Sequence, residues 1–341
     1  CLATQLAGCH DDRAKSASLS TKADTESLSL VERILLMREP FSELSFVPQD
    51  AQALVRVDLA AVASRAPQSG RMLDFVFHAQ QPAIWEFMGR AGITIGREIT
   101  ALYLVSDASS TLGTGAGTNA HVPSDPTVVV AAVGGIDRNR VMAALRHAGG
   151  KLEVAPNGAS VVVWPPSEGN VVGAHEPHEK PLLGETAIGI AEDLLVCGSS
   201  PLVRSVLATK TGQKKDIRSG RLAREIMAVD RTAIVWGVGL STSPQSYLAK
   251  LAPGVRKVRF QAIMPPNTDT EPAEPGKIEL RAEFASVQDA TSTRSSIEAL
   301  LNSGMALGAS TPVGGMIRQL RETASFSLDG TTMTVKSEVT P

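Results

Sequence analysis

The chain has 341 residues, 43% of them hydrophobic, and a formal net charge of −2, so most of it has the means to bury a core. Lys and Arg are scattered, which argues against a nucleic-acid binder, and 4% aromatics leave little for a stacking platform or a sugar groove. No run of about 18 apolar residues occurs, so no bilayer-spanning helix is expected.

The N-terminal stretch CLATQLAG, residues 1–8, is small or apolar apart from Thr4 and Gln5, whereas residues 10–27 are polar and rich in Ser, Asp, Lys and Thr. The step falls at Cys9. A short apolar stretch closing on small residues is how an export signal ends. Leu6-Ala7-Gly8-Cys9 resembles the lipobox of bacterial lipoproteins. The resemblance implies that the signal is cut before Cys9, which is then acylated. Stable anchoring needs more than one acyl chain, each methylene contributing roughly 0.8 kcal/mol. Cys1 is the alternative site, if the mature terminus lies there. Acylation at Cys9 and loss of Cys1 leave Cys197 as a lone thiol, so no disulfide is needed. Residues from His10 to about Ser27 then form a disordered tether. Ser29 and Glu32 make a capping box for a short helix ended by Pro40.

From residue 53 two stretches follow a similar order. The first starts with the strand ALVRVDL (53–59), then helical segments, the strand ITALYLVSD (99–107), a loop, the strand TVVVAAVGG (127–135), a helix capped by Asp137, and a hairpin over 151–164 around Asn157-Gly158. The second has strands at 232–240, 255–264 and 277–285, a helix opened by Ser286 and Asp289, and a hairpin around Asp329-Gly330. Between them lie another hairpin, turning at Glu192-Asp193, and two helices. Period-2 alternation and adjacent hairpins predict an α+β fold. The expectation is two related antiparallel units with helices on one face (β-α-β-β-α-β-β), plus the inserted hairpin and helices. The domains read as 1–8, residual signal peptide; 9–52, anchor, tether and short helix; 53–230, first unit; and 231–341, second unit. The body over about 50–340 is similar to uncharacterised secreted and lipid-anchored bacterial proteins with repeated strand–helix units, a resemblance that implies no activity.

No catalytic constellation emerges, and no cofactor is expected. Gly113, Gly115 and Gly117 form GxGxG without a following helix, which is a flexible loop and not a dinucleotide fingerprint. His175 and His178 are weak metal candidates, set three residues apart across Pro177 in place of the i, i+4 pair a zinc helix needs. Cys197 ends a strand without the G-x-S-x-G elbow and reads as a buried thiol. Asp58, Asp137, Asp230 and Asp289 read as caps. The sequence therefore points to a non-enzymatic envelope lipoprotein, held in the outer membrane facing the periplasm, that binds a protein partner or serves an assembly. A periplasmic carrier of an apolar ligand and a metal-dependent hydrolase are the other readings.

Overall fold

A computed structural model describes residues 43–65, 88–94, 96–107, 128–148, 150–154, 159–164, 186–241, 252–265, 274–303 and 312–339. Apolar strands that alternate every second residue bury one face, while strands apolar throughout bury both. The first half of this chain mixes the two kinds, and in the second half the strand Val235–Leu240 is buried at consecutive positions while the outermost strands, Ser325–Asp329 and Thr332–Val339, alternate.

The strands are β1 (Ala51–Asp58), β2 (Ala101–Asp107), β3 (Val128–Val133), β4 (Lys151–Val154), β5 (Ser160–Trp164), β6 (Thr186–Ala191), β7 (Leu194–Ser199), β8 (Val235–Leu240), β9 (Val255–Ile263), β10 (Gly276–Phe284), β11 (Ser325–Asp329) and β12 (Thr332–Val339). The helices are α1 (Leu59–Arg65), α2 (Arg138–His147), α3 (Ser200–Lys210), α4 (Ala223–Met227), α5 (Val287–Ser303) and α6 (Pro312–Thr323). The fold is thus a mixture of helices and a large antiparallel sheet. Among the described residues, all twelve strands lie in one sheet, in the order β11-β12-β10-β9-β8-β1-β2-β3-β7-β6-β5-β4. The strands of the two antiparallel units expected from the sequence lie in one continuous sheet, joined where β1 pairs antiparallel with β8.

Outward from that junction both halves follow one path. In each, three strands form a meander, a helical stretch follows, and the second strand of a later hairpin returns to pair with the third. β7 pairs with β3 as β12 pairs with β10, with β6 and β11 outside them. The hairpin equivalent to β11–β12 is therefore β6–β7, and β4–β5 is the extra hairpin at the edge. This reverses the assignment made from sequence order.

The expected placement of helices on one face also fails in the first half. On β5, Val161 and Val163 join the core beneath α3, whereas Val162 joins the core beneath α2. Leu202, Val203, Val206 and Leu207 of α3 cover one face, and Val141 and Leu145 of α2 the other. In the second half α5 sets Ala290 and Ile297 against Ala282, Phe284 and Met333. The register carries this second cover to the α2 side. Val57 pairs with Val235, Val235 with Ala262, Ala262 with Ile278, and Leu280 lies two residues on.

The α3 face of the first half is closed by a strap formed by residues 43–50. Leu44, Phe46 and Val47 are at most 2% exposed. Backbone bonds from Gln49 N to the Lys215 oxygen (3.1 Å) and from Ile217 N to the Val47 oxygen (2.8 Å) fix the strap to the 3₁₀ turn Ile217–Ser219. Gly220 sits under it, and a Cβ there would lie 2.2 Å from the Gln49 carbonyl oxygen. A backbone atom cannot rotate away as a side-chain tip can. Gly220→Ala is therefore expected to lower stability by about 1–3 kcal/mol, read as a lower urea midpoint at unchanged slope.

Candidate functional site

The face of the sheet that carries α3 and α4 is uncovered by any described helix beyond β8. Across it the register runs Arg56–Trp236–Gln261–Glu279–Lys336. Trp236 is 3% exposed and ends the apolar cover. From β9 outward the same face is polar, with Lys257, Arg259 and Gln261 on β9 and Glu283, Arg281 and Glu279 opposite them on β10.

Where α4 ends and this polar face begins, the step makes a groove of ≈ 260 Å³. Arg224, Glu225 and Ala228 wall it on the helix side, and Lys257, Arg259, Arg281 and Glu283 floor it. The outer two of the three cross-strand pairs are complementary. Lys257 Nζ lies 2.9 Å from Glu283 Oε2 and 3.5 Å from Glu225 Oε1, so one ammonium ties α4 to β10. The hydrogen bond to Glu283 raises the lysine above its ordinary range, against the pull of burial, and the Glu225 charge adds to it. At the other end Gln261 Nε2 donates to Glu279 Oε2 at 3.3 Å, and its Oε1 accepts from Asp230 N at 2.9 Å.

The central pair is Arg259 opposite Arg281. Like charges at directly facing positions destabilise a sheet, and two unit charges about 6 Å apart repel on the order of 1 kcal/mol in wet surroundings. Among the described residues no carboxylate lies within ion-pair distance of either guanidinium. The groove holds four cationic and two anionic side chains. Chemically it offers two planar five-donor groups to an oxyanion.

A second polar cluster is closed. Arg56 Nε donates to Tyr103 Oη (3.2 Å), Arg56 Nη2 to Asp58 Oδ2 (3.3 Å), and Tyr103 Oη to Glu43 Oε2 (3.3 Å). Burial raises the Tyr103 phenol, with Glu43 beside it pushing the same way against Arg56. The phenol thus stays a donor to the strap. These groups satisfy one another where the strap meets the sheet, with Arg56 the most buried of the charged members and Glu43 at the solvent edge, so the cluster is a structural tie.

No protein-family model matches the chain, and neither does any curated protein or any solved structure. The groove must therefore be judged by its own chemistry.

Of the residues singled out in the sequence, Cys1, Cys9, the Ser29–Pro40 segment, Gly113, Gly115, Gly117, the Asn157-Gly158 turn, His175 and His178 lie outside the described residues. Asp58 and Asp137 behave as the expected helix caps, whereas Asp230 closes a turn before β8 and at α5 the cap is Ser286, with Asp289 its partner. Asp58 Oδ1 accepts from Ala61 N (2.8 Å), Asp137 Oδ1 from Asn139 N (2.9 Å), and Asp230 Oδ1 from Thr232 N (2.9 Å), while Ser286 Oγ accepts from Asp289 N (3.1 Å). Cys197 lies on β7, where burial pushes its thiol up to about 11, far from the reactive thiolate range. Among the described residues no three His, Cys, Asp or Glu side chains gather as a metal site, and no helix is long and apolar enough to cross a membrane.

None of the groove residues was identified from the sequence. Alternation in VRKVRFQ and KIELRAEF gives the face of each charge, but the Arg259–Arg281 pairing depends on register across the long connection 264–275.

Proposed function

We propose that this chain is a lipid-anchored protein of the bacterial cell envelope with a non-enzymatic binding or assembly role. Leu6-Ala7-Gly8-Cys9, at the apolar-to-polar step, carries the reading. Cys9 takes the acyl groups and residues 10–27 act as the tether, with Cys1 the alternative acceptor. The outer membrane is the proposed location, its periplasmic side the working space, and a protein of the envelope the partner. The uncovered polar half of the sheet supports a binding role, because charged and amide side chains on a broad strand surface suit a polar interface. The charged lining of the groove gives no support to an apolar cargo. The two halves are proposed to be related units, a reading supported by their shared strand path with β6–β7 matching β11–β12.

The anchor is tested by metabolic labelling with a fatty acid in a bacterial host. Cys9→Ser is expected to abolish label and release the protein from the membrane fraction, while Cys1→Ser leaves both unchanged. Label retained on Cys9→Ser and lost on Cys1→Ser moves the processing boundary to Cys1. Absence of label from the unsubstituted chain overturns the anchor. The partner is tested by crosslinking in intact cells, where recovery of a stoichiometric envelope protein is expected and recovery of none counts against the reading.

A further inference from the structure

We propose that the groove between α4 and strands β9 and β10 is a binding site for a phosphate monoester dianion, held by Arg259 and Arg281. The inference rests on the groove alone and does not require the anchor.

Three features of the groove converge on it. First, the only like-charged pair among three consecutive cross-strand pairs lies at the groove's centre, Arg259 facing Arg281, with complementary pairs on both sides. The outer pairs hold the surface together, and the central one leaves two guanidiniums directed into the same space. Second, Arg259 and Arg281 together bring two positive charges to the groove, neither within ion-pair distance of a described carboxylate, the complement of a dianion. A guanidinium fork takes two oxygens at once, and the terminal oxygens of a phosphate monoester can be shared between two forks. Third, ≈ 260 Å³ suits a headgroup, being below the roughly 300–1,000 Å³ of sites for larger small molecules.

The two carboxylates set the limits of the site. Glu225 and Glu283 are both engaged by Lys257 at one end of the groove, so they do not neutralise the arginines. They do repel further negative charge on that side. An extended polyanion is therefore disfavoured, and the preferred ligand carries its dianion at one terminus of an otherwise uncharged or cationic body. A phosphomonoester lipid and a soluble phosphomonoester share this chemistry.

The test uses the full chain with Cys1→Ser and Cys9→Ser, so that no acyl chain contributes. Inorganic phosphate is titrated at constant ionic strength, chloride being the replaced anion, and binding is read by calorimetry and by melting temperature. Saturable binding is expected. It strengthens as pH rises through neutrality and inorganic phosphate passes from monoanion to dianion, whereas sulfate, a dianion throughout, shows a flatter profile. R259Q and R281Q are each expected to weaken phosphate binding at least tenfold, and to melt no lower than the parent without phosphate, because the facing charges are gone. K336Q, which removes a cation from the same face outside the groove lining, is the control and keeps the parent affinity.

Vesicles of neutral lipid with phosphatidic acid, and others with phosphatidylglycerol, identify the source. Preference for phosphatidic acid, lost in R281Q and competed by phosphate, assigns a lipid headgroup. Phosphate binding without vesicle preference assigns a soluble ligand. Equal phosphate affinity in the parent and R281Q, equal losses in R281Q and K336Q, or no saturable binding overturns the proposal. Because the tested chain has no acylation site, these failures leave the anchor untouched, and failure of the anchor leaves the groove untouched.

Discussion

Phe46→Ala is expected to destabilise the protein by about 3–5 kcal/mol, the range for deleting a fully buried aromatic side chain. Phe46 is 2% exposed, and its ring meets that of Tyr103 edge-on, with centroids 5.1 Å apart and planes at 79°. An edge-to-face pair adds roughly 0.5–1.5 kcal/mol to the area it buries. The strap cannot close over the gap easily, because its backbone is fixed downstream at Gln49 and Val47 by the bonds to Lys215 and Ile217. The loss is therefore a cavity above Tyr103 as well as a transfer term. A marginally stable protein has only about 5–15 kcal/mol in total. Equilibrium urea unfolding should show a much lower midpoint. If the strap alone detaches, limited proteolysis cuts near residues 43–50 while the sheet core stays protected. An unfolding free energy within about 1 kcal/mol of the parent and no new cleavage would show that Phe46 does not hold the strap down.

How much of this was legible depends on how far apart the interacting segments lie. Local features came through. The Asp137 cap needs only its own amide neighbours at 139 and 140, and the Ser286–Asp289 pair only three residues. The two-residue turn at Glu192-Asp193 is present, with Glu192 at φ 46°, and the last hairpin turns one residue later than expected, at Gly330-Thr331, with Gly330 at φ 58°. The identity of β3's second neighbour was not local. β4–β5 is the first hairpin after α2, but β7 takes the place beside β3, and nothing in either hairpin alone decides between them. One overlooked signal was present. Strands such as SVVVW and LLVCGS are apolar at consecutive positions, which marks burial on both faces and so helices on both, while KIELRAEF alternates and has its helices on one.

The groove was hidden for a related reason. Arg259 and Arg281 each look like an ordinary solvent-facing residue on an alternating strand, and their significance exists only in the pair. Pairing is a property of register, and a shift of one residue would have turned Arg281 to the other face. The lipobox-like residues are the opposite case, readable as a string of four adjacent residues. Sequence thus informs most about the proposed address, and the sheet informs most about the proposed ligand.

The second large effect concerns the tie beneath the strap. Arg56→Met is expected to cost about 2–3 kcal/mol at neutral pH. Methionine keeps much of the buried stem and removes the charge, so packing loss is small and the cost is electrostatic. Breaking a buried ion pair by deleting one partner typically costs about 3–5 kcal/mol. Here the Arg56 side chain is 14% exposed, but Glu43 and Asp58 are 43% and 28% exposed, so water takes up part of the deficit. Burial alone would lower the Arg56 pKa, and Tyr103, Glu43 and Asp58 outweigh it and raise it, which means the folded state prefers the charge it holds. The variant leaves two carboxylates near the Tyr103 hydroxyl without their shared cation. Its deficit relative to the parent should therefore shrink with added salt, which screens partly exposed charges. Adding Glu43→Gln should recover part of the loss. A double-mutant cycle in urea at low and high salt measures this coupling. A deficit that is the same at both salt concentrations, and is unaffected by Glu43→Gln, would show that Arg56 acts through packing of its stem and not through its charge.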